Sequence, residues 1–173
     1  FCDVIIVGSG PSGIAAAIEA AEKKLDVILV EQDSLIGGDQ LSENEFDSSH
    51  IENQIKNLGI KVMTRTTAFG LYDNCVVGLL ERVTDHLSLP DKTLPRQRFW
   101  TIRAKHIIVG AGAIERHIAF NNNDIPGVMT VNASKHYLNR YGVLTGKKIV
   151  ITTNNDSVYE TAELISQAGA NVT

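Results

Sequence analysis

Three features of the chain predict an α/β fold built on a parallel sheet. In the first, Asp3-Val4-Ile5-Ile6-Val7-Gly8-Ser9-Gly10-Pro11-Ser12-Gly13-Ile14-Ala15-Ala16-Ala17, an apolar run enters a G-x-G-x-x-G turn and leaves it as a helix of small residues. The second is another apolar run, residues 27–30, which ends in Glu31. The third is a strand–turn–helix pattern near Lys148 that superposes on the first without gaps.

The opening motif carries a chemistry as well as a fold. Residues 4–7 read as a buried parallel strand, and Ile14, Ala17, Ile18 and Ala21 form one helical stripe. Gly8 makes the tight turn, Gly10 lets a pyrophosphate come against the backbone, and Gly13 lets helix and strand pack closely. The helix end aims free N–H groups and roughly half a positive charge at the phosphates. Gly8, Gly10, Ser12 and Gly13 are therefore the expected pyrophosphate contacts. Glu31 stands at about the distance where an acid accepts hydrogen bonds from an adenosine ribose, with Gln32 beside it. The same fingerprint serves NAD+ and FAD.

The remaining elements follow in order. Gly37 and Gly38, in the loop after Glu31, permit close backbone approach and are expected to flank the nucleotide. Ser48 or Ser49 is placed to cap a helix over about residues 50–58, which Gly59 ends. Residues 60–63 read as a third parallel strand, with Ala68 expected against adenine at its end. The polar run 64–70 leads into a hairpin in which residues 71–72 meet 75–80 across an Asp73-Asn74 turn. A two-proline loop and a further strand over residues 98–102 complete an inserted antiparallel β-meander at about 64–104. The chain re-enters the parallel sheet at residues 106–109, and Gly110-Ala111-Gly112-Ala113 forms a second glycine-rich strand end expected beside the first. There Ala111 and Gly112 should close over the nucleotide. Residues 131–141 read as a helix closed by Gly142.

Aligning Asp3 with Lys148 places residues 4–7 on 149–152, Ala17 on Ala162 and Val27 on Val172. The fold unit repeats, but the phosphate chemistry does not: Gly8 becomes Thr153, Gly10 becomes Asn155 and Gly13 becomes Val158. A β-branched residue at the third position blocks the close helix approach, and Asn155 with its neighbours reads as a helix cap. The organisation predicted is a Rossmann-like FAD/NAD(P)-binding domain over 1–118, a connecting loop and helix over 119–146, and the start of a second, degenerate Rossmann unit over 147–173.

Composition sets outer limits. At 173 residues the chain suits one domain, or one and a part. Net charge is −4, and the densest basic group, Arg96, Arg98, Arg103 and Lys105, is interrupted by Phe99, Trp100 and Ile102, which reads as a solvated strand face and not a nucleic-acid surface. Cys2 and Cys75 lie far apart with no C-x-x-C or metal-ligand spacing, so no redox-active disulfide and no metal site are expected. That usage suits a reducing, cytoplasmic compartment. No apolar run is long enough to span a membrane. The chain opens at Phe1 almost on its first strand and stops at Asn171-Val172-Thr173 where another strand should be starting, so a piece of a longer protein is expected.

More specific signals lie in Arg65-Thr66-Thr67-Ala68-Phe69-Gly70-Leu71-Tyr72-Asp73-Asn74, in Gly112-Ala113-Ile114-Glu115-Arg116, in Asn122-Asn123-Asp124-Ile125-Pro126-Gly127-Val128-Met129 and in Thr153-Asn154-Asn155-Asp156-Ser157. With residues 80–87, 95–98 and 137–142, these resemble the alpha subunit of heterotetrameric sarcosine oxidase over nearly the whole chain. Two details depart from that pattern: Val30 stands where the family often has a second acid, and His117 where it has proline. The resemblance implies a glutathione-reductase-like nucleotide domain holding NAD+ as a tight, non-redox ligand. It implies FAD and covalent FMN on a partner beta subunit, with smaller subunits completing the complex. The assembled enzyme would oxidise sarcosine with oxygen to glycine and hydrogen peroxide and pass the one-carbon unit to tetrahydrofolate. No residue of this stretch is assigned a catalytic role. Two other readings are a stand-alone FAD-dependent oxidoreductase of the same superfamily and an assembly module stabilised by its nucleotide.

Overall fold

The computed structural model describes residues 1–43 and 48–173. The chain divides into two compact units, one built from Phe1–Leu41 and the residues from Ser48 to Gly112, the other from Ala113–Thr173 with Ser42 and Glu43.

In the first unit β1 (Cys2–Val7), α1 (Pro11–Glu22), β2 (Val27–Val30), α2 (Ser48–Asn57) and β3 (Lys61–Met63) follow in turn. They are succeeded by β4 (Thr66–Tyr72), β5 (Val76–Arg82) and β6 (Gln97–Val109), and the sheet order is β3-β2-β1-β6-β5-β4. β1 pairs parallel with β2 and with the second half of β6, and β2 pairs parallel with β3. The apolar runs are continuous because this parallel part is covered on both faces. On one face Val4, Ile6, Val27 and Leu29 pack with Ala17 and Ala20 of α1 and Ile55 of α2. On the other, Ile5, Ile28, Val30 and Met63 pack with Val77, Leu79 and Ile102 of the meander. Ile5, Ile6 and Leu29 are wholly buried, each contributing about 1.5–3 kcal/mol relative to exposure.

Two expectations are corrected here. The strands anticipated at 98–102 and 106–109 are one 13-residue strand, β6, whose first half pairs antiparallel with β5 and whose second half pairs parallel with β1. Arg103 and Lys105, between the two expected strands, are outward positions of an alternation in which Ile102 and Ala104 are buried. The polar run at 64–70 is not a lead-in, since β4 begins at Thr66, a residue with 1% exposure whose hydroxyl donates to the Thr64 carbonyl. The hairpin turn is a 3-10 turn, Asp73–Cys75, in which Asn74 and Cys75 both take positive φ. Beyond the rung Val76↔Arg103, β6 pairs only with β1 among the described residues, and Ile108 and Val109 are exposed.

The second unit contains α3 (Val131–Tyr141), β7 (Lys148–Ile149), α4 (Tyr159–Gln167) and β8 (Asn171–Val172). Thr130 caps α3 and left-handed Gly142 closes it, with its N–H donating to Leu138. β7 and β8 are parallel, with Ile149 opposite Val172, just as Val4 stands opposite Val27 in the first unit. The strand expected over 149–152 is shorter, ending at Ile149, although the Ile151 N–H still donates to the Thr173 carbonyl at 2.9 Å.

One side chain ties the amino ends of β1 and β2 to the start of the parallel half of β6. The Asp3 carboxylate accepts from the Asp26 N–H at 2.9 Å and meets the Lys105 ammonium at 2.7 Å. Its pKa is held below the ordinary aspartate value, chiefly by Lys105 and then by the Asp26 N–H. A carboxyl with a lowered folded-state pKa stabilises the fold above its unfolded value and loses that contribution as pH falls through the folded value. The thermal midpoint of the wild-type chain should exceed that of Asp3→Asn at neutral pH, and the gap should close as pH falls below the ordinary aspartate range and through the lowered folded-state value. A gap that persists in acid would show that the charge of Asp3 contributes nothing.

Candidate nucleotide-binding site

The predicted turn forms at the carboxyl end of β1, and its glycines are required by neighbouring backbone. Gly8 has φ +99°, and a Cβ there would lie 2.3 Å from the Gly110 carbonyl oxygen and 3.1 Å from the Ala111 Cα. A Cβ on Gly13 would lie 1.9 Å from the Gly8 carbonyl oxygen, so the first turn of α1 sits directly on the fingerprint turn. The close packing expected of Gly13 is therefore against the turn as well as the strand. Gly10 differs from both: a Cβ there meets nothing within 4 Å. It is the N-cap of α1, it supplies no side-chain cap, and Pro11 opens the helix. The N-cap residue thus folds no side chain of its own over the first N–H groups of the helix.

The loop after β2 closes on this turn. The Gly37 N–H donates to the Ser9 carbonyl at 2.9 Å and lies 3.3 Å from Ser9 Oγ. Gly38 has φ +58°, and a Cβ on it would stand 2.9 Å from the Gly10 Cα. Ser12 is exposed, with its Oγ 3.3 Å from where a Gly110 Cβ would be. Gly8, Gly10, Ser12, Gly13, Gly37, Gly38 and Ala111 therefore come together around the ends of β1 and β6. Gly112 follows with φ +73° and open space about it.

Glu31 is 7% exposed, and its carboxylate is held from three sides. Oε2 accepts from the Ser9 N–H at 2.9 Å and from the Ser9 hydroxyl at 2.6 Å, and Oε1 accepts from the Asp33 N–H at 2.8 Å. Buried carboxylates need such donors, and hydrogen bonds to a charged acceptor are the strong kind. Ser9 is the residue that sequence reasoning missed. It occupies a variable position of the fingerprint, and only the approach of β2 reveals its partner. Gln32 is exposed, and its carbonyl accepts from Arg82 Nη2 at 2.9 Å. Ala68 does not stand at the end of β3 as expected. It lies within β4 opposite Leu79 and is partly packed against the core.

The second unit repeats the span of α1 with a different entry. Residues 11–22 correspond to 156–167, which form a 3-10 turn, Asp156–Val158, followed by α4. At the position of Gly10, the Asn155 side chain accepts from the Ser157 N–H at 3.0 Å and caps the helix itself. Val158 replaces Gly13, and the first turn is not α-helical there. Cys2 and Cys75 are free thiols, no cluster of metal-ligating residues occurs among the described residues, and no described helix is long and apolar enough to cross a membrane.

These contacts separate the glycines by cost. Gly13→Ala forces a side chain into backbone and should destabilise the chain by about 3 kcal/mol, the upper end of overpacking costs. Gly10→Ala adds a methyl to open space and should leave urea unfolding almost unchanged. Equal losses at the two positions would contradict this account of the turn.

Comparison with known proteins agrees with this geometry. The family model described as FAD dependent oxidoreductase matches residues 3–87. The chain is 40% identical over 180 residues to sarcosine oxidase subunit alpha of Rhizobium meliloti (strain 1021) and 38% identical over 178 residues to that of Corynebacterium sp. (strain U-96). These alignments cover 99% and 96% of this chain but 18% of each relative, so the chain spans about a fifth of their length. Among solved structures, L-proline dehydrogenase from P. horikoshii superposes with a TM-score of 0.77 at 27% identity, over 99% of this chain and 34% of that one. The chain is thus a homologue of one segment of the sarcosine oxidase alpha subunit, with the mixed α/β fold of the FAD/NAD(P)-binding oxidoreductases.

Proposed function

We propose that the first unit binds NAD+ as a tightly held, non-redox ligand, within the alpha subunit of an enzyme of the sarcosine oxidase type. The observation that carries this is the uncapped entry of α1 at Gly10, set against the Asn155 cap at the equivalent position of the repeat. The residues suit a pyrophosphate. Gly10 offers open space, the helix entry offers N–H donors, and Ser12 adds an exposed hydroxyl. Glu31 has acceptor capacity left for one ribose hydroxyl, because three of the roughly four lone-pair positions of a carboxylate are filled by Ser9 and Asp33. Gln32, Gly37 and Gly38 border the same end of β2, and Ala111 and Gly112 lie at the end of β6. We keep Ala68 against the adenine.

In this reading residues 1–118 are the nucleotide domain, 119–146 connect it, and 147–173 begin a second unit without a phosphate site. Redox chemistry belongs to FAD and FMN on a partner beta subunit, where the flavins would accept electrons from sarcosine and pass them to oxygen. The complex, with its smaller subunits, would return glycine and transfer the one-carbon unit to tetrahydrofolate in the cytoplasm. This chain's residues would hold the nucleotide and the subunit fold. The second reading, an FAD-dependent oxidoreductase with catalysis in this chain, draws on the family match over residues 3–87.

Denaturing the purified protein and identifying the released nucleotide by absorption and mass tests the choice. Colourless protein releasing NAD+ is expected, and yellow protein releasing FAD would favour the second reading. A buried carboxylate at Glu31 also repels a 2′-phosphate, so nucleotide-free protein should bind NAD+ more tightly than NADP+. Equal affinities would remove Glu31 from the ribose site.

A further inference from the structure

We infer that Ser9 is a positioning residue that turns Glu31 into a fixed acceptor for a single ribose hydroxyl, an inference that rests on reading the first unit as a dinucleotide site. Ser9 is wholly buried, yet none of its polar atoms is idle. Its N–H and hydroxyl both donate to Glu31 Oε2, at 2.9 and 2.6 Å, which fills that oxygen and fixes the carboxylate plane. Oε1 takes one bond from Asp33 and keeps one position open. With Oε2 closed, the carboxylate cannot turn to offer a second oxygen to a ligand.

The same residue fixes the loop beside the acid. The Ser9 carbonyl accepts from the Gly37 N–H at 2.9 Å, and the hydroxyl oxygen lies 3.3 Å from that N–H while its hydrogen points to Glu31. Gly38, the next residue, presses toward Gly10. One serine therefore sets the fingerprint turn, the ribose acid and the glycine loop in register. Alanine at position 9 keeps the backbone bonds and removes only the hydroxyl. Oε2 then keeps the N–H of residue 9 and loses the hydroxyl, so each carboxylate oxygen is held by a single bond and the geometry for a ribose hydroxyl loosens while the phosphate end is untouched.

The test compares ADP, which carries the adenosine ribose and pyrophosphate common to NAD+ and FAD, with 2′,3′-dideoxy-ADP, which lacks both hydroxyls. Calorimetric titration of nucleotide-free wild-type chain should show ADP preferred by roughly tenfold, the value of one hydrogen bond to a charged acceptor. In Ser9→Ala the preference should fall to within about twofold, with binding of the dideoxy compound nearly unchanged. Circular dichroism checks that the variant folds. The preference is a ratio, so partial unfolding of the chain weakens both ligands alike and leaves it constant. An unchanged ratio in Ser9→Ala would overturn the role of Ser9 while leaving the nucleotide site standing. Failure of the wild-type chain to bind ADP at all would overturn the dinucleotide reading, and this inference with it.

Discussion

Backbone passing backbone without a side chain between is the constraint on which the carboxyl edge of the parallel sheet depends. A Cβ on Gly8 would meet Gly110, one on Gly13 would meet Gly8, and one on Gly38 would meet Gly10. These three approaches draw the ends of β1 and β6, the entry of α1 and the loop after β2 onto one small volume. The parallel strands bring their carboxyl ends to the same edge, and their apolar runs are buried by helices on one face and the meander on the other. Core packing thus sets where the edge lies, and the glycines set how closely its loops can approach.

The repeat shows what happens when the constraint is lifted. Ile149 faces Val172 as Val4 faces Val27, so the strand register survives the loss of every fingerprint glycine. The helix entry does not survive unchanged. It becomes a 3-10 turn with its own asparagine cap, which satisfies the Ser157 N–H within the protein. Hydrophobic packing alone is enough to repeat the strand–helix unit, while an open phosphate-type entry also needs residues without side chains.

Legibility in the sequence followed the range of the interactions. β1, β2 and β3 and the two helix ends at Gly59 and Gly142 were readable because apolar runs and left-handed glycines act locally. The single strand β6 was read as two because it changes partner along its length, pairing antiparallel with β5 up to Arg103 and parallel with β1 from Ala104, which only the assembled sheet shows. Glu31 was legible by its spacing from the turn. Its grip by Ser9 was not, because residues 22 apart in sequence meet only after β1 and β2 pair. Ala68 was assigned from the strand before it, and the pairing with Leu79 sets it within β4, beside the bulge between Ala68 and Gly70.

The central claim is that the first helix entry binds a dinucleotide and its repeat does not. Amide NMR of the nucleotide-free chain titrated with NAD+ addresses both halves at once. The account predicts large shifts at Gly8, Gly10, Ser12 and Gly13 and none at Asn155, Ser157 and Val158. Shifts centred on Asn155 to Val158, or no shifts at the fingerprint, would contradict it.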